Sequence, residues 1–362
     1  MPGPQAGPDL NSKLNSDLNP AELISVVIPA YNARHTLPAT LESLFAQTWP
    51  HLEIIVVDDG STDGTAQMLA QYGARVRLLS QPNGGLARAR ATGVAAARGQ
   101  WIALLDADDL CRPERLALQA RVLEALPEVV MCAGDFDAFD DRDGKVSASH
   151  AARYYARIGR ARQGIRSLLR RRDPLETAWG EQFHVCHGPA YEELAHGNFM
   201  HPPTLMFRRE LLRADQAGSF EDEARSMCDW DWIVRAARCG EVAFIERALI
   251  DYRLSASQMS SPRHRVRATV DTLRVAERIC QRDPELYLRQ LPLFLRELGG
   301  FCLDAADALI ETDRLEAARM LLRSSTRFGC LDMRTLRLLA KLLTPRRMLL
   351  AARQRRGIAP AG

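Results

Sequence analysis

Residues 101–109 read Trp-Ile-Ala-Leu-Leu-Asp-Ala-Asp-Asp, an apolar run that stops in three carboxylates, Asp106, Asp108 and Asp109. Like charges this close repel one another and resist leaving water unless a cation neutralises them. Oxygen-only ligands suit a hard divalent ion, Mg²⁺ or Mn²⁺, and such an ion keeps open positions for phosphate oxygens. The chemistry these residues suggest is therefore chemistry on a nucleotide diphosphate. The bland alternative is a solvated turn that caps a helix.

The elements before this run are strands alternating with helices. Ser25–Ile28 reads as a buried strand ended by Pro29, and Thr36 can cap a helix whose apolar positions are Leu37, Leu41, Leu44 and Phe45. Glu53–Val57 is a second strand closed by Asp58-Asp59-Gly60, and Ser61 or Asp63 caps the helix that Gly73 ends. A third strand near Arg75–Leu79, a small-residue helix from Leu86 to Gly99 and the strand Trp101–Leu105 complete the series. Such alternation implies a parallel sheet with right-handed crossovers. Ligands of such sheets bind beyond the carboxyl ends of the strands. Those ends carry Pro29-Ala30-Tyr31-Asn32, Asp58-Asp59 and Asp106–Asp109, which one crevice can gather.

Beyond residue 130 the pattern changes. Asp143-Gly144 predicts a hairpin turn between short strands, and residues 150–172 read as one helical, strongly basic segment. Residues 184–201, rich in His, Gly and Pro, predict a loop over the crevice. Thr204–Phe207, Val242–Ile245 and Ile250–Tyr252 predict short strands, with a helix from Asp229 to Cys239. From Pro262 onward the pattern is helical, and Thr312–Phe328 reads as a helix–turn–helix unit. His184, Cys186, His187, His196 and His201 invite a zinc reading, but their spacing fits no standard structural site.

Four blocks stand in fixed order: Val26–Asn32, Ile55–Asp63, Asn83-Gly84-Gly85 and Leu104–Asp109. In order and spacing they resemble the family 2 glycosyltransferases of GT-A fold, closely over residues 24–125 and loosely over 126–255. The resemblance implies an α/β, Rossmann-like, mostly parallel sheet, followed here by an all-helical extension. It implies that Pro29, Ala30, Tyr31, Asn32, Asp58 and Asp59 hold the nucleoside of the donor. Asp59 would accept the uracil N3–H, since a carboxylate only accepts. Tyr31 would stack on the base, and Asp58 would support the loop. Asn83, Gly84 and Gly85 would approach the sugar or phosphates, with Arg88 or Arg90 reaching the diphosphate. Asp106, Ala107 and Asp108 would meet ribose and metal, with Asp106, Asp108 and Asp109 as the metal set. The family's catalytic base falls on Asp229, with Cys228 in place of the usual glutamate. Arg253 matches a position followed in many relatives by a histidine-containing segment. Leu254–Ser260 has no histidine, so the resemblance assigns Arg253 no diphosphate-closing role.

The expected activity is inverting, metal-dependent transfer of a sugar from a nucleotide-sugar, a UDP-sugar by preference, to an acceptor hydroxyl. A bacterial surface polysaccharide or a glycolipid, with a glycan or lipid-linked acceptor, is the expected setting. Two alternatives stand beside it: an inactive relative that binds nucleotide-sugar or glycan, and a sugar-1-phosphate nucleotidyltransferase. The latter calls for a Gly-rich, basic loop after the first strand, which Pro29-Ala30-Tyr31-Asn32 is not.

Composition bounds the rest. The chain has 362 residues, 46% hydrophobic and 26% charged, with net charge +3, which gives no case for a nucleic-acid partner. The eight cysteines show no C-x-x-C, so reduced thiols and a cytoplasmic location are expected. The expected organisation is a disordered leader over 1–20, a glycosyltransferase domain over 21–260 (donor half 24–130, acceptor half 131–260) and a helical basic region over 261–362. Residues 314–356 interleave Arg and Lys with Leu and Met, a pattern that suits peripheral contact with the inner, anionic face of a membrane as well as a packed cap with a solvated basic face.

Overall fold

The computed structural model describes residues 23–142, 144–213, 215–220, 226–255, 264–345 and 347–348. The expected leader over 1–20 and Asp143 of the expected turn lie outside the described residues. The chain divides into two compact units, one of Met1–Ala190, Phe199–Phe220 and Arg235–Arg253, the other of Tyr191–Asn198, Glu221–Val234 and Leu254–Gly362. The second unit thus draws 191–198 and 221–234 out of the stretch expected to form a single domain over 21–260.

The first unit is built on one sheet. β1 (Ile24–Ala30) is buried at every position, as a strand covered on both faces must be. It pairs in parallel with β2 (Leu52–Asp58), which pairs in parallel with β3 (Arg77–Ser80). On its other side it pairs in parallel with β4 (Trp101–Leu104). The register sets Ala30 opposite Asp58 and Val27 opposite Leu104, so the three polar strand ends share one edge.

The remaining strands are β5 (Leu110–Cys111), β6 (Val129–Asp140), β7 (Gly144–Ser147), β8 (Arg171–Glu176), β9 (Gln182–Gly188), β10 (Met206–Arg208) and β11 (Glu241–Arg253). The sheet order is β3-β2-β1-β4-β10-β6-β11-β9-β8, with β5 on β11 and β7 on β6. β10 is antiparallel to both β4 and β6, so β6 runs with β4, and β11 is parallel to β6. The carboxyl ends of β1, β2, β4, β6 and β11 therefore lie on the same edge.

Four helices accompany the parallel half: α1 (Leu37–Phe45), α2 (Thr65–Leu69), α3 (Leu86–Ala96) and α4 (Arg115–Ala125). Small residues in α3 let it approach the sheet closely. A Cβ at Gly93 would stand 2.3 Å from Val27 Cγ1. The expected cap at Thr36 is not made, because its backbone is already helical and its hydroxyl bonds no helix N–H. Asp63 does serve α2: its Oδ1 accepts from the Thr65 N–H at 3.0 Å.

Three expectations between residues 130 and 260 are corrected. The basic stretch 150–172 is not one helix. It holds α5 (Ala151–Tyr154), α6 (Ala156–Arg160) and α7 (Ile165–Leu168), interrupted at extended Tyr155 and at Gly164 with φ +59°, and then enters β8. The loop expected over 184–201 contains β9, whose Phe183, Val185, Cys186 and His187 are buried. The two short strands expected over 242–252 are the single β11, with register shifts between Ile245 and Ile250.

The second unit is helical: α8 (Tyr191–Ala195), the first seven residues of α9 (Cys228–Ala236), α10 (Arg265–Arg282), α11 (Pro284–Arg289), α12 (Leu291–Leu309), α13 (Arg314–Phe328) and α14 (Met333–Leu343). Leu303, Ala306, Leu309, Ile310, Ala317, Leu321 and Leu338 form its core cluster. The helix–turn–helix expected over 312–328 is one helix, α13. Asp313 caps its start by accepting from the Glu316 N–H at 3.0 Å, and Gly329 ends it in the left-handed region.

Candidate functional site

At the shared strand edge of the first unit, the loops after β1 and β2 are laced together. The Asp59 N–H donates to Ala30 O at 2.8 Å. Asn32, at φ +51°, donates its N–H to Ser61 Oγ at 2.9 Å and accepts from the Thr62 N–H at 2.8 Å. Asn tolerates this left-handed geometry better than most residues. Asp58 is buried and accepts from the Ser61 N–H at 3.1 Å within the loop. Pro29 and Ala30 are buried within β1, whereas Tyr31 projects its ring with 55% exposure.

Asp59 draws the third loop in. Its Oδ1 accepts from Gln81 Nε2 at 2.7 Å and from the Gly84 N–H at 2.8 Å, and its Oδ2 accepts from the Gly85 N–H at 2.7 Å. A single bond on Oδ2 leaves that oxygen a further lone pair. The loops meet so tightly that a Cβ on Gly60 would lie 2.8 Å from Asn83 N. Glycine there also supplies φ +75°.

Beyond β4 the carboxylates separate into different settings. Asp106 accepts from Arg90 NH2 at 3.0 Å, and the Arg90 side chain is buried in α3. Of the two arginines expected near the diphosphate, Arg90 is thus engaged with a carboxylate. Asp108, one residue past Ala107, is pushed up to about 6, first by burial and then by the neighbouring Asp106 carboxylate. Asp109 is wholly buried and held well above the usual carboxylate range by that burial, then by Asp108 and Asp106. Its Oδ1 accepts from the Arg253 N–H at 3.0 Å, while Oδ2 meets no donor among the described residues. A cluster that raises its own carboxyl pKa values and buries an orphan oxygen has the donor set of a divalent cation site.

Arg253 is the residue that sequence reasoning passed over. It ends β11 at the strand edge that carries Asp106–Asp109, and its Nε donates to Asp108 O at 2.8 Å. Its guanidinium pairs with Asp141 and lies 4.7 Å from the Phe139 ring centroid. The Tyr-Arg pair itself was the available signal. The lack of a downstream histidine does not displace it.

Two further buried residues brace the edge. Arg115 NH2 donates to Leu104 O at 2.8 Å and its Nε to Gln119 Oε1 at 3.0 Å. His201 stacks on Phe136 with ring centroids 4.0 Å apart, and its Nδ1 lies 2.9 Å from Tyr155 Oη. Burial, then Arg90, holds His201 well below the usual imidazole range, so it is neutral.

The histidines and cysteine that invited a zinc reading do not act as a set. His187 Nε2 contacts Asp173 at 2.7 Å, whereas His196, in the second unit, contacts Glu297 at 2.6 Å. Among the described residues, the trio whose ligand atoms all fall within 4.8 Å is Glu128, His187 and Glu241, and not Asp106, Asp108 and Asp109. That trio sits where β6 and β11 begin, at the opposite edge of the sheet. An ion on the aspartates would need oxygens from the donor to complete its shell.

Asp229 belongs to the second unit. It lies half-buried in the first turn of α9 with Asp231, behind fully buried Cys228. Asp231 is buried too, and accepts from Arg282 NH1 at 2.6 Å. Of these two acids, Asp231 is committed to an ion pair within its own unit.

Residues 25–191 match the family model described as glycosyl transferase family 2. The glycosyltransferase YibD of Escherichia coli is 39% identical over 123 residues, 33% of this chain and 36% of that one. The succinoglycan biosynthesis protein ExoO of Rhizobium meliloti is 44% identical over 95 residues, 26% of this chain and 27% of its own. The matches therefore span about a third of these relatives' lengths. Among solved structures, the mannosyltransferase PcManGT of Pyrobaculum calidifontis, in complex with GDP-Man and Mn²⁺, superposes with TM-score 0.51 at 18% identity. That superposition covers 94% of this chain and 88% of the other, and it identifies the α/β architecture as a GT-A fold.

Proposed function

Because residues 25–191 match the glycosyl transferase family 2 model, we propose that the chain is an inverting, metal-dependent glycosyltransferase. It moves a sugar from a nucleotide-sugar, a UDP-sugar by preference, to an acceptor hydroxyl during assembly of a cell-surface polysaccharide or glycolipid. The observation that carries this reading is the aspartate cluster: Asp108 raised to about 6, and Asp109 with a buried Oδ2 that meets no donor among the described residues. ExoO's role in succinoglycan biosynthesis and the GDP-Man and Mn²⁺ held by PcManGT agree with it.

In this reading Asp59 offers the free lone pair of Oδ2 to the base N3–H while its other bonds keep Gly84 and Gly85 in place. The exposed Tyr31 ring stacks on the base. Asp106 and Asp108 would hold Mg²⁺ or Mn²⁺, with Arg90 fixing Asp106 and Arg253 fixing Asp108 and Asp109. A bound divalent ion supplies neutralisation of the charge that builds on the departing nucleoside diphosphate. Asp229 takes the proton of the attacking hydroxyl as the new glycosidic bond forms. Single displacement from the face opposite the leaving group inverts the anomeric centre.

The test is a screen of UDP- and GDP-sugars for metal-dependent hydrolysis and transfer, with Asp108→Asn beside the wild type. Turnover that needs Mn²⁺ or Mg²⁺ and disappears in Asp108→Asn supports the proposal. Binding of UDP without turnover under any metal would assign the chain to the non-catalytic alternative, and release of pyrophosphate from a nucleoside triphosphate as it joins a sugar 1-phosphate would assign it to the nucleotidyltransferase one.

A further inference from the structure

α13 and α14 of the second unit carry apolar side chains that stay exposed among the described residues. On α14, Thr335 and Leu338 are buried, and Leu342 packs on the core cluster. The flank of the same helix next to that buried side shows Met333, Leu336, Leu339 and Leu343, at 65%, 57%, 39% and 82% exposure. These positions recur at helical spacing and form one stripe. α13 repeats the arrangement, with Leu315 and Leu322 at 65% and 64% exposure and Arg319 between them at i+4. Isolated exposed leucines need no explanation, but a stripe spread over two neighbouring helices does.

The charges say what covers it. From Arg314 to Arg356 the sequence holds twelve Arg and Lys residues against Glu316 and Asp332. Within the unit Arg334 pairs with Asp304, Lys341 with Asp307 at 2.6 Å, Arg323 with Glu277 and Arg319 with Glu316 at 3.1 Å, so those four cations serve internal packing. Arg337 and Arg347 are exposed beside the stripe. A second copy of this face would set cation against cation across the contact. A surface both anionic and apolar, by contrast, satisfies the arginines and the leucines together.

We propose that α13 and α14 dock on an anionic lipid bilayer, with Leu336, Leu339 and Leu343 entering the headgroup–acyl boundary and Arg337 and Arg347 meeting lipid phosphates. No described helix is long and apolar enough to cross a membrane, and this mode needs none. The inference does not depend on the catalytic reading, because lipid binding is measured without turnover.

Co-sedimentation of the full chain with phosphatidylcholine vesicles, with and without phosphatidylglycerol, tests it. Binding is expected only with the anionic lipid and is weakened by added salt. Leu336→Ser, Leu339→Ser and Leu343→Ser together should weaken it about tenfold or more. Arg337→Gln with Arg347→Gln should do the same through charge alone. Circular dichroism should show both variants folded, since every altered side chain is already exposed in the free protein. No binding to anionic vesicles, equal binding to neutral ones, or a serine variant that binds as tightly as wild type would overturn the proposal. So would a wild-type dimer in ultracentrifugation that the serine substitutions dissolve, because the stripe would then belong to a second copy.

Discussion

Arg253 holds Asp109 by its main chain and reaches Asp108 by its side chain: N–H to Asp109 Oδ1 at 3.0 Å, and Nε to Asp108 O at 2.8 Å. The carboxyl end of β11 is thereby tied to the turn after β4, although the two are 144 residues apart in sequence.

Truncating Arg253 separates these two bonds. Arg253→Ala keeps the N–H on Asp109 and removes the bond to Asp108 O and the pair with Asp141. Loss of a largely buried, charged hydrogen bond should cost about 1–3 kcal/mol of stability. Transfer should fall about tenfold to a hundredfold, mostly in kcat, because Asp108 loses its brace. Arg253→Lys keeps the charge without the planar fork, so it should recover stability better than rate. Denaturant melts and steady-state kinetics on both variants check this.

Asp108 should show the opposite relation between stability and activity. Its carboxyl is raised to about 6 by burial and by Asp106, so in the metal-free protein the cluster repels itself. Asp108→Asn removes one of the like charges and should stabilise the metal-free chain by about 0.5–2 kcal/mol. The same variant should lose the rise in Tm that Mn²⁺ gives the wild type. Thermal melts with Mn²⁺ and with EDTA measure both effects, and a variant less stable than wild type under EDTA would contradict the repulsion argument.

Asp59 should be costly in two ways. Its carboxylate accepts from Gln81 Nε2 and the N–H groups of Gly84 and Gly85, so Asp59→Ala removes three hydrogen bonds at once and unties the loop that they hold. A loss of about 1–3 kcal/mol is expected. Asp59→Asn replaces one acceptor by an NH₂ donor and should keep most of the fold, yet raise the Kd for UDP about tenfold or more. Calorimetric titration with UDP checks the second effect separately from the first.

How much of this was legible beforehand depended on whether the signal was local. β1, β2 and β4 announced themselves, because strands buried on both faces read as unbroken apolar runs and their ends carry the polar blocks. β9 did not, since Phe183, Val185, Cys186 and His187 alternate only in part and the histidines read as loop. The extent of the second unit was hidden as well: residues 191–198 and 226–234 leave the first unit through bonds to helices well downstream, such as Ser226 to Asp271 and Asp231 to Arg282. In the site, Asp58, Asp59 and Asp106–Asp109 were named from local motifs. The Tyr-Arg pair marked Arg253, but its partner Asp109 lies 144 residues away, and local spacing carries no trace of that pairing.

His201 gives the first unit an acid-sensitive point. Burial, then Arg90, holds its pKa well below the ordinary 6.5. Between those two values the unfolded chain binds a proton that the folded chain refuses, so stability rises with pH up to about 6.5 and levels off above it. Stability is thus lost as pH falls below 6.5 toward the depressed folded value. His201→Asn should flatten this part of the curve at some cost in stacking on Phe136. Urea midpoints from pH 5 to 8 for both proteins check it.

Asp229 and Asp231 lie two residues apart on α9, and their substitutions should fail differently. Asp231 is buried and bound by Arg282 NH1 at 2.6 Å, so Asp231→Asn breaks an ion pair and should cost about 1–3 kcal/mol. Its kcat should stay within a few-fold of wild type wherever the protein is folded. Asp229 is the proposed proton acceptor, so Asp229→Asn should leave the melt nearly unchanged and the KM for donor within a few-fold. It should lower kcat by about 10²–10⁴, the usual span for a lost general base. Donor hydrolysis by water needs the same proton acceptance and should fall with it. If Asp231→Asn lost the rate and Asp229→Asn kept it, the base would be reassigned, and the Arg282 pair would become a catalytic device rather than a structural one.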